Sequence, residues 1–257
     1  MSGAAVWLVV APVVSQIAPH TFTTAEVLIG AAVCAGWALF PDLDQPSSTI
    51  ARSFGPVSWV VSKLVNAVSA AWYNLTRTSL EPASTDGHRK LTHSLLGMIL
   101  VAAGVGAITG AFGEKGALGV LFIAVGLAIR GLMGDWVKKN GWLVTTAAAA
   151  AATWAAAWLM PPGNYWWLAI TALVGQIVHG LGDNITKQGV PWLGGVVRVR
   201  GKRWWDFALP GFMRITTGGA AEGVLMTVFT VVVVGGVLAV FAGGWAQLGA
   251  VFGVGAG

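Results

Sequence analysis

The sequence predicts an all-α integral membrane protein, with about seven transmembrane helices and one amphipathic helix lying in the interface. Three observations carry that prediction. Of 257 residues, 56% are hydrophobic and only 10% charged, against about 25% charged in an ordinary soluble domain. Apolar runs long enough to cross a bilayer recur along the chain. Lys and Arg gather in alternate connections between those runs, the bias that marks cytoplasmic loops.

Residues 3–18 form the first run, and its Pro12 is tolerable because neighbouring helices re-satisfy freed backbone groups. With no basic region ahead of it and no small-residue cleavage site, it reads as a retained helix, not a signal peptide. Residues 24–40 form the second and hold Cys34, the single cysteine, so a disulfide framework and a Cys-rich metal knuckle are excluded. The segment 57–75 differs: Lys63 and Asn66 interrupt it and Trp59 and Trp72 fit head-group level, so it reads as interfacial and non-spanning. The remaining spans are expected over residues 92–112, 116–132, 142–160, 165–183 and 220–241. The alanine run in the fifth span favours a helix and carries no functional signal. All belong to one polytopic domain, residues 1–257.

An inside N-terminus puts residues 41–91, 133–141 and 184–219 on the cytoplasmic side. Every Lys and Arg except Lys115 then falls inside or at an inner helix end. The formal charge of +5 is therefore a topology signal before it is a nucleic-acid signal. The basic loop 184–219 mixes tryptophans with Arg and Lys. That suits lipid head groups; phosphate contact and stacking with a nucleic acid is the less favoured alternative, since the loop lies against the bilayer in any case.

This topology gathers the unusual residues on one face. Asp42 and Asp44 of "FPDLDQP" follow the second span, His88 and His93 of "DGHRKLTHSLL" open the third, and His179 and Asp183 of "VHGLGDNIT" close the sixth. His179 and Asp183, four apart, share a helix face. Asp42 and Asp44 sit on a Pro-flanked turn, while His93 is expected to have entered its helix. Each has a bland reading: a helix stop with solvated acids, interfacial anchors, a buried pair or proton relay. Convergence of three imidazoles and three carboxylates favours a site, and ionisable groups at membrane depth point to function by default. Mixed N/O ligands suit Zn²⁺, Mn²⁺ or Fe²⁺.

Together "FPDLDQP", "GHRKLTHSLL", "VGQIVHGLGDNITKQGVPWL" and the later "RITTGGAAE" resemble the motifs of the YdjM-like family of bacterial inner-membrane metal-dependent hydrolases. The resemblance covers most of the chain. It implies a multi-pass protein of the bacterial inner (cytoplasmic) membrane, with one or two divalent ions, Zn before Mn or Fe, near the cytoplasmic face on Asp42, Asp44, His88, His93, His179 and Asp183. Through a remote kinship with zinc-dependent phospholipase C and P1-type nucleases, it implies phosphoester hydrolysis. One departure stands: the family's His ahead of the first helix has no counterpart after Met1, so either the start is truncated or that ligand is absent. His20 falls in an outer loop and reads as interfacial.

Metal-activated water would attack a phosphoester in a lipid-linked or small substrate. Arg89 could grip a phosphate oxygen or merely anchor the topology. Thr92 could cap the third span or support His93. Arg214 and Glu222 flank the start of the last span, where a salt bridge closing the site is favoured over direct catalysis. Two other classes stay open. One is a metal- or proton-handling transporter, less favoured because the outer helix halves hold almost no polar groups. The other is a histidine-type lipid phosphatase, whose Pro-Ser-Gly-His stretch is missing.

Overall fold

A computed structural model describes residues 1–17, 20–186, 189–216 and 219–242. Ala18 of the first expected span, Lys187 of the basic loop and Thr217 of "RITTGG" lie outside the described residues, as do the side chains of Lys138 and Lys139. The described chain is helical: α1 (Ser2–Ile17), α2 (Thr24–Trp37), α3 (Pro56–Thr76), α4 (Leu95–Leu132), α5 (Gly134–Leu159), α6 (Trp167–Asn184) and α7 (Ala220–Phe241). Short 3-10 turns join them, and the described residues contain only isolated β-bridges. Among the described residues four segments are long and apolar enough to cross a membrane: Thr24–Asp44, Leu95–Leu132, Gly141–Leu159 and Ala220–Phe241. A shorter apolar helix covers Ser2–Gln16, and α3 is not among the four.

The two spans expected over residues 92–112 and 116–132 correspond to α4, which starts only at Leu95 and is broken at Gly113 (φ +53°, ψ −129°). That left-handed φ favours glycine. Beyond it Gly116 packs so closely on Ile108 that a Cβ would strike the Ile108 carbonyl. In a straight helix residues eight apart are about 12 Å from each other along the axis, so the chain reverses at Gly113.

Small residues let the helices approach and also fix their register. A Cβ on Gly36 would strike the Ala124 carbonyl, and Gly131 lies against Leu39; α2 and the second half of α4 therefore run in the same direction. Gly175 lies against Cys34 and Trp37 and, one turn on, His179 Nδ1 meets the Ala38 carbonyl, which aligns α6 with both. The C-terminal ends of α2, α4 and α6 thus meet at one end of the bundle. Met98 packs on Gly180 there, bringing the start of α4 to the same place. At the opposite end Thr23 and Glu26 cap α2 reciprocally, and His20 Nε2 lies 3.0 Å from Glu26 Oε1.

Helix α3 turns small and polar residues inward: Ser58, Ser62, Ser69, Tyr73 and Thr76 are buried. Val57, Val60, Val61, Leu64 and Val68 are exposed. This outward apolar face fits a helix lying at the membrane surface, and Lys63 Nζ sits 3.7 Å over the Trp59 ring. The loop after α6 folds back on α3. Trp204 is buried, donates from Nε1 to Thr76 Oγ1 (3.0 Å) and packs on Tyr73. Buried Glu81 holds the junction, accepting from the backbone of Trp204 (2.6 Å), Thr78 (2.7 Å) and Arg203 (3.2 Å).

Candidate metal centre

Four segments deliver the site. The turn Pro41–Asp44 follows α2, the loop 86–90 carries His88 and Arg89, a 3-10 turn Leu91–His93 precedes α4, and the last turns of α6 bear His179 and Asp183. His93 therefore lies ahead of α4, not inside it as the sequence reading has it. The reason is the cap: Ser94, not Thr92, accepts from the Gly97 backbone (3.2 Å). Thr92 is left free to turn its hydroxyl to Asp44 Oδ2 and its oxygen to His93 Nδ1 (3.1 Å).

Asp42, His93 and His179 present ligand atoms that all lie within 4.8 Å of one another. His93 Nε2 and His179 Nε2 are 3.2 Å apart. Asp42 Oδ1 is 3.9 Å from the first and 3.6 Å from the second, and Asp183 Oδ2 is 3.6 Å from both. Ligands about 2.0–2.1 Å from a tetrahedral ion stand about 3.3–3.4 Å from one another, close to these separations.

The tautomers follow from the surroundings. His179 Nδ1 donates to the Ala38 carbonyl (2.9 Å), and His93 Nδ1 faces Thr92 and Asp44 Oδ2 (3.5 Å). Both Nε2 lone pairs thus aim into the cluster, the arrangement that fixes metal-binding histidines. Asp183 Oδ2 is buried with no hydrogen-bond donor aligned on it, although Arg89 Nη2 lies 2.7 Å away. Two imidazoles with Nε2 turned inward and the Asp42 carboxylate, with the Arg89-paired carboxylate of Asp183 beside them, fit a divalent cation.

Asp44 and His88 stand one layer back. Asp44 is fully buried, and its oxygens already accept from His88 Nδ1 (2.7 Å), the Arg89 backbone (3.1 Å) and Thr92. Burial works to lower the His88 pKa, but the hydrogen bond and charge of Asp44, with the charge of Asp42, outweigh it and raise the imidazole above its ordinary value. Arg89 adopts φ +56°, and its Nη1 donates to the Gly189 carbonyl (3.3 Å).

Asn66 is what sequence reasoning missed. Read as a polar interruption of segment 57–75, it donates from mid-α3 to the Asp44 carbonyl (2.8 Å) and Asp86 Oδ1 (2.9 Å), and accepts from the Gly87 backbone (3.3 Å). Three residues on, Ser69 bonds Gly87 and Leu91. A polar pair at i, i+3 facing the same side as the buried serines was the available signal.

Among the described residues, neither Arg214 nor Glu222 makes a contact with the imidazoles. Arg214 Nε donates to the Leu209 carbonyl (2.6 Å). Glu222, in the first turn of α7, lines a cavity of about 450 Å³ that also touches Asp183 and Met226. A second cavity, about 270 Å³, reaches His179 and Asp183 between Ala38, Leu39 and Leu132.

The sequence model of the family described as "YdjM inner membrane protein" matches residues 1–144. That stretch holds Asp42, Asp44, His88, Arg89 and His93; His179 and Asp183 lie beyond it. No curated protein and no solved structure matches the chain.

Proposed function

The chain belongs to the YdjM inner membrane protein family, and from that premise we propose that it is a membrane-bound metal-dependent hydrolase acting on a phosphoester, with a lipid-linked compound as the substrate class. The observation that carries the reading is the convergence of Asp42 Oδ1, His93 Nε2 and His179 Nε2 at 3.2–3.9 Å separations, with Asp183 Oδ2 3.6 Å from each imidazole nitrogen. This N/O set suits Zn²⁺, with Mn²⁺ or Fe²⁺ as alternatives. When bound, such an ion polarises a phosphoryl oxygen and brings the pKa of its water toward neutrality.

The remaining residues supply orientation. Asp44 and Thr92 hold the His93 ring, and the Ala38 carbonyl holds His179. Arg89, already 2.7 Å from Asp183 Oδ2, presents its guanidinium where a phosphate oxygen would enter and matches that geometry bidentately. The two cavities touching Asp183 support a membrane-derived substrate, because their walls are largely apolar: residues of α1, α6 and α7 in the larger, and Ala35, Ala38, Leu39, Ala128 and Leu132 in the smaller. Glu222 stands on one wall, with Arg214 nearby in sequence to close that side.

Seven crossings are part of this proposal: α1, α2, the two halves of α4 about Gly113, residues 141–159, α6 and α7. The His/Asp cluster would then lie at the cytoplasmic face. The test is turnover by purified protein on phosphorylated lipids. Release of phosphate or a phosphorylated head group should stop with a chelator and return with Zn²⁺ or Mn²⁺. Chelator-insensitive turnover through a phosphohistidine would instead mean the covalent phosphatase class.

A further inference from the structure

Two cavities meet at Trp142, away from the His/Asp cluster. One, about 350 Å³, is walled by apolar side chains that include Leu43, Phe54, Val57, Val61, Phe122 and Ile123. Val57, Val61 and Ile123 are also exposed at the outer surface, so this groove opens to whatever surrounds the helices. The other, about 550 Å³, is bounded by Arg52, Trp59, Arg130 and Trp142. No Asp or Glu lines either cavity among the described residues.

The two arginines differ in setting. Arg130 is buried at the C-terminal end of α4, held by a bond from Nε to the Thr49 carbonyl (3.2 Å). Arg52 is exposed, and its guanidinium makes no hydrogen bond among the described residues. Lys63 adds a third cation, over the Trp59 ring. Cations with no carboxylate among the described lining residues, an adjoining apolar groove and tryptophans at the junction match the parts of a phospholipid. Guanidinium groups pair with phosphate, aliphatic walls take a chain, and indoles favour head-group level.

We propose that this pair of cavities holds one anionic glycerophospholipid of the surrounding membrane, with its phosphate between Arg52 and Arg130 and an acyl chain along the Leu43–Phe122 groove. A soluble phosphate would leave the apolar groove unused. The site is distinct from the candidate metal centre, since none of the six His and Asp residues lines it. It braces α3 against α4 and α5 on the side of Leu43, the residue between Asp42 and Asp44.

Native mass spectrometry of the full chain in detergent tests this, with phosphatidylglycerol and phosphatidylcholine of identical chains as probes. The expected result is one phosphatidylglycerol retained at least about tenfold better than phosphatidylcholine. Arg52→Gln should cut that preference severalfold without affecting the fold, and Arg52→Gln with Arg130→Gln should abolish it. Val61→Trp, which fills the groove, should weaken both lipids. Equal retention of the two lipids by the native chain overturns the proposal, as does an unchanged preference in Arg52→Gln. Displacement of the lipid by millimolar glycerol 3-phosphate would overturn it too, by showing a site for a soluble anion.

Discussion

The Nε2 atoms of His93 and His179 stand 3.2 Å apart although 86 residues separate them in the chain. Each ring turns its protonated nitrogen outward, so two lone pairs face each other beside the carboxylates of Asp42 and Asp183. A cation between them relieves that repulsion, and a ligand bound only by the folded chain stabilises it by about 2.7 kcal/mol at a hundredfold excess over Kd. Chelator treatment is therefore predicted to lower Tm by several degrees in detergent, with Zn²⁺ restoring it. An unchanged Tm on chelation, in protein shown to carry metal, would contradict this.

Asp44 and Asp42 are predicted to separate in their effects. Asp44 orients His93 through Nδ1 and Thr92, so Asp44→Asn should weaken metal binding by about 10–100-fold without abolishing it. Asp42→Asn removes a donor and should cost more. Competition against a metal-binding dye reads both; equal losses would make Asp44 a ligand itself.

Glu81 is predicted to confer acid sensitivity. Burial works to raise its pKa, but hydrogen bonds from the backbone of Thr78, Trp204 and Arg203 and from the Thr78 hydroxyl outweigh it and lower the pKa below its ordinary value. A carboxyl depressed in the folded state contributes stability above its unfolded pKa and loses it as pH falls through the folded one. Glu81→Gln should cost about 1–3 kcal/mol at pH 7, read as a fall in Tm, and the gap from the native chain should narrow progressively below pH 4. A constant gap down to pH 3 would exclude the ionised carboxylate as the source.

Topology is predicted to put Ser48 and Thr85 on one side and Gly163 on the other. In a Cys34→Ser background, single cysteines at Ser48 and Thr85 should resist an impermeant thiol reagent on intact spheroplasts until permeabilisation, while one at Gly163 labels from outside. Opposite behaviour of Ser48 and Thr85 would be incompatible with the 2.7 Å contact between Asp44 and His88.

The helices were legible because bilayer-length apolar runs need no partner to be recognised. Even the reversal at Gly113 is foreshadowed by "FGEKG", where charge interrupts the run. The gathering of Asp42, His93 and His179 was legible from polarity at helix ends. The division of labour within the cluster was not. Asp42 and Asp44 are two residues apart and chemically identical, and only the turn Pro41–Asp44 sends one toward the imidazoles and the other behind His93. Asn66 and Glu81 escaped notice for a related reason. Asp44, Asp86 and Gly87 for Asn66, and Arg203 and Trp204 for Glu81, lie 20 or more residues away, on stretches whose paths no hydrophobic period records.

Metal content of the purified full chain is the most direct test of the central claim. About one equivalent of divalent transition metal is expected, with a second ion as the upper bound. The His93→Ala, His179→Ala and Asp42→Ala variants should each lose it while keeping native size-exclusion profiles. Stoichiometric metal retained in the triple variant would contradict the centre assigned to these residues.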